Sequence, residues 1–223
     1  MVHHICQRHL LSQKGIDMLH HTLWQANHDL AHACLELPFV QGLATGRLEA
    51  VAFTCYVAQD AFFLNAFLRA YALAAAKCER LDHVATFRDL MSGVLEELEL
   101  HRGYAQSLGI DLSTVEPLPA ARAYTDFLLR VAWSAGVDEI VAAMTPCMRL
   151  YAWLGVELAP QLRDDHPYGD WIRTYADPEF EGLARTLEGL LDDTAADTPA
   201  VREAYRYAMV CERNFFAAPM AAV

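Results

Sequence analysis

The sequence predicts an all-α protein, an irregular helical bundle in one domain. Two observations predict the helices: apolar residues recur every three or four positions in nearly every segment, and alternation at period two is sustained nowhere. A third bounds their setting, because 54% of the 223 residues are hydrophobic yet no block of eighteen or more apolar residues forms. A chain of this length buries a core efficiently as one unit, and no linker-like stretch divides it. The expected domain is 1–223, with 1–12 as a flexible amino-terminal segment.

The period places helices at roughly 13–36, 47–77, 81–108, 117–135, 137–159, 167–175, 178–193 and 199–217. In the second, Phe53, Tyr56, Asp60, Phe63, Phe67 and Tyr71 step by three or four along one face. The stretch "SLGIDLSTVEPLP" is a loop between the third and the fourth. The fifth carries Pro146, which cannot donate to the carbonyl of Ala142 and should bend or loosen the turn. "YGDWIRTY" sets Tyr168, Trp171 and Tyr175 on the face of the sixth. Asp177-Pro178 and Thr198-Pro199 each supply an N-cap followed by proline at the first helical position, and so open the last two.

Charge removes some functions. Lys plus Arg is 17 against 29 Asp plus Glu, a formal charge of −12, and no basic stripe is available to neutralise phosphates. Nucleic acid is not an expected partner. Nor is a membrane expected, and "MVHHICQRHLLSQKG" has neither an apolar signal core nor transit-peptide character, so cytoplasm is the expected compartment. The six cysteines are scattered singly, which fits neither a disulfide framework nor a zinc site.

The informative residues are polar groups on apolar stripes. Asp60 lies in the aromatic stripe described above, where a carboxylate needs a partner. Glu212 shares a face with Tyr205, Met209 and Phe216, and burial there would raise its pKa towards that of an acid–base catalyst; Arg213 offers a structural ion pair instead. Cys147 follows Pro146 and shares a face with Met144, Tyr151 and Leu154. It is either a small core residue or a nucleophile that needs a base, for which Glu212 is a candidate. Tyr124, Tyr151 and Tyr175 suit a flat ligand or a plain core. Metal is not expected: seven histidines fall in the first 32 residues and Glu97 with His101 is an i, i+4 pair, but no Glu-x-x-His motif occurs.

These signals occur in a familiar order. "LPFVQGLATGRLEAVAFTCYVAQDAFFLNAFLRAYALAAAK" closely resembles the signature of the TenA/THI-4 family, the thiaminase II or aminopyrimidine aminohydrolase enzymes. The resemblance continues through "EELELHRGYAQSLGI", "ARAYTDFLLRVA", "TPCMRLYAWLG", "HPYGDWIRTYADPEFE" and Glu212-x-x-Phe215-Phe216, over residues 35–217. It implies a haem-oxygenase-like fold, a homotetramer, no cofactor and no metal. The implied reaction releases 4-amino-5-hydroxymethyl-2-methylpyrimidine and ammonia from the aminomethylpyrimidine, with thiamin a further substrate of some members. By the same resemblance Cys147 is the nucleophile, Glu212 the proton-exchanging acid, Asp60 the acid that binds the aminopyrimidine, and Tyr124, Tyr151 and Tyr175 pocket aromatics. Phe63 stands where many relatives carry tyrosine, Leu37 where histidine is frequent and Phe216 where tryptophan is common. The alternatives are a protein of this fold that binds a pyrimidine or other flat ligand without turnover, and a haem or di-metal oxygenase using the amino-terminal histidines.

Overall fold

The structure, a computed structural model, describes residues 18–222. Among these, every regular element is helical: α1 (Leu19–Ala26), α2 (His28–Leu35), α3 (Pro38–Thr45), α4 (Ala50–Lys77), α5 (Leu81–Leu108), α6 (Pro119–Ser134), α7 (Val137–Leu158), α8 (Gly169–Ala176), α9 (Pro178–Thr194) and α10 (Pro199–Ala221). Short 3₁₀ turns lie at Leu112–Thr114 and Ala159–Gln161. The expected flexible segment 1–12, with His3, His4 and His9, lies outside the described residues.

Helices α4 to α10 follow the period within a few residues, and the two predicted caps form. Asp177 accepts from the Glu179 amide at 2.8 Å and Thr198 from the Val201 amide at 3.2 Å. Two expectations need correction. The first predicted helix, 13–36, is broken at Asn27, whose backbone leaves the helical region while its side chain donates to the Leu23 carbonyl at 2.8 Å. Local side chain to backbone bonding of this kind competes with helix continuation. Helix α3 was not expected at all; it opens on Pro38 and closes at Gly46, whose φ of +70° is the left-handed C-cap conformation.

Helix α7 is buried on nearly all sides, from Ile140 to Leu158, and packs against α8, α9 and α10. A helix apolar all round belongs at the centre. It runs unbroken through Pro146. By length and mean hydropathy (1.4) α4 is apolar enough to cross a bilayer, but 61% of that window is buried within the protein, as befits a core helix. Lys77 fixes α4 against α6: its ammonium donates to the carbonyls of Ala132, Trp133 and Ala135 at 2.7, 3.2 and 2.7 Å, at the negative end of α6. Arg149 ties α7 to α9 through paired bonds to Glu181 and Glu188.

The contact of α7 with α8 depends on Gly155. A Cβ there would lie 2.3 Å from the Tyr175 carbonyl carbon and 2.4 Å from the Ala176 nitrogen, so backbone meets backbone. Gly155→Ala is expected to lower stability by about 1–3 kcal/mol, the usual cost of overpacking, and to displace Tyr175. Urea unfolding checks this, and an unchanged midpoint would mean that α8 moves freely.

Candidate active site

Five helices surround a cavity of about 280 Å³, near the small end of ligand sites at roughly 300–1,000 Å³, with α9 adding Phe180 and Leu183. Helix α4 contributes Asp60, Phe63 and Tyr71, α5 contributes Glu97, α7 contributes Cys147 and Tyr151, and α8 contributes Tyr175. Among the described residues, no lysine, arginine or histidine lines it. Its walls are aromatic: Phe63 packs 4.7 Å from Tyr124, and Tyr151 lies 4.8 Å from Tyr175, ring centre to ring centre.

Five of the seven residues singled out from the sequence therefore meet at one cavity: Asp60, Phe63, Cys147, Tyr151 and Tyr175. Tyr124 and Glu212 stand behind its wall. Tyr124 donates to Glu212 Oε1 at 2.7 Å, and the Cys147 thiol lies beside Glu212. The ion pair considered for Glu212 does not form, since Arg213 turns to Asn214. Glu212 is 1% exposed, and burial, opposed by the Tyr124 bond and the Cys147 thiol, pushes its pKa up to about 8. The Cys147 thiol is pushed well above its ordinary range by burial and by the surrounding carboxylates Glu212, Asp60 and Glu97. The resting site therefore holds a thiol and a carboxylic acid, not a thiolate.

A second cluster surrounds Asp60. His101 Nε2 lies 2.7 Å from Asp60 Oδ2, and His101 Nδ1 lies 3.0 Å from the Glu97 carbonyl oxygen. A carbonyl only accepts, so Nδ1 carries a hydrogen. Burial lowers the imidazole pKa, but the Asp60 bond and charge and the Glu97 carbonyl outweigh it and bring it up to about 9. His101 is an imidazolium that donates to Asp60. Tyr56 adds its hydroxyl at 3.4 Å from Asp60 and 3.3 Å from the Tyr151 hydroxyl, and accepts from Trp171 Nε1 at 3.2 Å. Tyr175 donates to Glu97 Oε1 at 3.0 Å. Burial, followed by the charge of Asp60, pushes Glu97 up to about 7.

The donor atoms of Asp60, Glu97 and His101 lie within 4.8 Å of one another, the only such grouping among the described residues with the spacing of a cation site. Their hydrogen bonds account for the arrangement: the imidazole nitrogen nearest the carboxylates is committed to Asp60. Among the described residues, His28 and His32 pack edge-on against each other, ring centres 4.5 Å apart. His20 bonds to Asp192, while His28 and His32 pack edge-on against Trp153.

Sequence reasoning passed over Glu97 and His101 as site residues although their i, i+4 spacing was visible, because that spacing does not reveal that His101 reaches Asp60, 41 residues away. It also passed over the Tyr71 hydroxyl, buried at the cavity without a hydrogen-bond partner among the described residues.

Comparisons with known proteins place the chain by sequence and fold. The chain is 37% identical over 179 residues to the aminopyrimidine aminohydrolase of Halalkalibacterium halodurans, covering 78% of this chain and 77% of that one. Its fold matches the crystal structure of a TenA family transcription regulator from a Silicibacter species with a TM-score of 0.84 at 27% identity, over 89% of this chain and 95% of that one. At 12% identity, a Shewanella denitrificans domain of unknown function with a haem-oxygenase-like fold matches with a TM-score of 0.74 over 90% and 91%, which concerns the fold alone. A family model described as TENA/THI-4/PQQC matches residues 24–221, almost the whole described chain, and the protein belongs to that family.

Proposed function

We propose that this protein is an aminopyrimidine aminohydrolase, converting 4-amino-5-aminomethyl-2-methylpyrimidine and water to the 5-hydroxymethyl compound and ammonia. The observation that carries the reading is one aromatic cavity lined by a thiol and a separately anchored carboxylate, with a carboxylic acid beside the thiol behind the wall. The 37% identity to a named aminohydrolase supports it.

The roles follow from the chemistry. Asp60, held by His101 and Tyr56, accepts from the amidine edge of the ring in charge-assisted bonds. Glu212, mostly protonated at neutral pH, protonates a ring nitrogen and takes the thiol hydrogen as sulfur bonds to the ring. The hydrogen lost by Cys147 thus reaches the ring by exchange through one carboxyl, and no free thiolate is needed. With aromaticity broken, the ring expels the amine from the methylene. Water adds there, and loss of Cys147 restores the ring.

Purified protein incubated with the aminomethylpyrimidine is expected to release one ammonia for each hydroxymethylpyrimidine formed. Thermal stabilisation by the pyrimidine without product would instead establish a binding protein. Thiamin enters this scheme as a second substrate, with a neutral thiazole as its leaving group. We further read the chain as a single cytoplasmic domain that assembles as a homotetramer. The exposed Leu81 and Trp133, 84% and 71% accessible, are apolar surface suited to subunit contacts. Light scattering at four times the 24.9 kDa chain mass is the expected result, and a monomer would overturn it.

A further inference from the structure

The reaction needs a second proton acceptor. When water replaces the amine, one of its hydrogens must leave, and Glu212 is by then committed to the ring nitrogen and to Tyr124 behind the sulfur. Asp60 is committed to His101 and to the ring edge. The cavity wall also carries Glu96 and Glu97. The Glu96 side chain lies on the exposed face of α5, whereas Glu97 is half-buried and lines the cavity.

We infer that Glu97 is the general base for the water that replaces the amine, an inference that rests on the aminohydrolase reading. Tyr175 holds Glu97 Oε1, and Oε2 has no hydrogen-bond partner among the described residues. Glu97 also stands where two cavities adjoin. With Thr174 and Tyr175 it lines both the main cavity and a smaller one of about 80 Å³, whose wall includes the exposed Asp170. Glu97, Thr174 and Tyr175 thus form the wall between the main cavity and this smaller pocket.

The step balances. The Cys147 adduct of the ammonium-form substrate expels neutral ammonia with the C–N electron pair, leaving an exocyclic methylene conjugated with the amidine cation. The water oxygen forms the C–O bond while one hydrogen passes to Glu97, and the electrons of the exocyclic double bond return to the ring. Glu97 passes that proton to ammonia, which leaves as ammonium. Glu212 recovers the ring-nitrogen proton and returns one to the departing sulfur. The sum is ammonium substrate plus water giving alcohol plus ammonium ion.

The groups facing Glu97 are Asp60, Tyr56 and Tyr71 from α4, His101 on its own helix, Cys147 from α7 and Tyr175 from α8. Glu97 must be ionised to act, so kcat is expected to rise with pH through about 7, and to fall as Glu212 loses its proton through about 8.

Glu97→Gln tests the assignment. Its kcat is expected to fall on the order of 10²–10⁴-fold with little change in KM, and the limb near pH 7 should vanish. Intact-protein mass spectra of the quenched variant should show the methylenepyrimidine adduct on Cys147. Sodium azide, a nucleophile that needs no deprotonation, should restore turnover and yield the azidomethylpyrimidine. A rate near that of wild type would overturn the inference. So would a folded, slow variant with neither adduct nor azide product. If the variant does not fold, wild-type kcat decides, and a flat profile from about pH 5.5 to 8 is the contrary result. Wild type that releases no ammonia would defeat the aminohydrolase reading itself, whereas active wild type beside an unimpaired variant would defeat only the role of Glu97.

Discussion

Replacing Cys147 by serine is expected to lower ammonia release by roughly 10³-fold or more while leaving the fold intact. The Cys147 side chain is half-buried because its sulfur faces the cavity, so the smaller oxygen leaves no sealed void. The serine hydroxyl still sits beside Glu212, and stability should change by no more than about 1 kcal/mol. The chemistry does not survive. A hydroxyl is harder to deprotonate than a thiol, and Glu212 is matched to exchange a proton with sulfur and ring nitrogen, both nearer its own affinity. Ammonia release and thermal unfolding on the same preparation check the prediction; equal turnover would remove Cys147 from the reaction. Because burial holds the thiol protonated, iodoacetamide should alkylate free Cys147 slowly at neutral pH.

Glu212→Gln is expected to cost roughly 10²–10⁴-fold in rate and, unlike the first substitution, to reshape the stability profile. Glu212 titrates near 4.5 in the unfolded chain and about 8 in the folded one. Below pH 4.5 both states hold the proton and folding gains its full stability. Between 4.5 and 8 the unfolded state ionises first, so stability falls with rising pH, by on the order of 5 kcal/mol once pH exceeds 8. Glu97 acts in the same direction over a narrower window, ending near 7. Glutamine cannot ionise, yet its carbonyl still accepts from Tyr124. The variant should match wild type near pH 5 and exceed it by several kcal/mol near pH 9. Urea unfolding at both pH values decides, and parallel shifts of the two proteins would show that Glu212 does not titrate in this window.

The helices were legible because most are long and amphipathic, and because proline after an N-cap residue marks two starts without ambiguity. Helix α3 was not, since eight residues interrupted by Gly42 span too few turns to show a period. The break at Asn27 was equally hidden, because a polar residue on a helix surface and one that bonds its own backbone look alike in a sequence. Asp60 and Glu212 could be read as misplaced carboxyls, but not their partners. His101 and Tyr124 have ordinary surroundings in the sequence, and only the packing of α5 on α4 and of α6 on α10 turns them into hydrogen-bond donors. The departure at Phe63 was visible at once, but its effect was not: the ring rests against Tyr124, whose hydroxyl is spent on Glu212.

The lining of the cavity also sets a limit on what enters it. Three carboxyl residues, Asp60, Glu96 and Glu97, share the wall with apolar and aromatic side chains, and no lysine, arginine or histidine is present to meet an anion. A phosphate ester would bring nearly two negative charges into that setting with no guanidinium fork among the lining residues to receive them. A small neutral or cationic amine suffers no such penalty. The lining therefore sets a preference by charge before shape, for a neutral or cationic ligand over one that carries a phosphate.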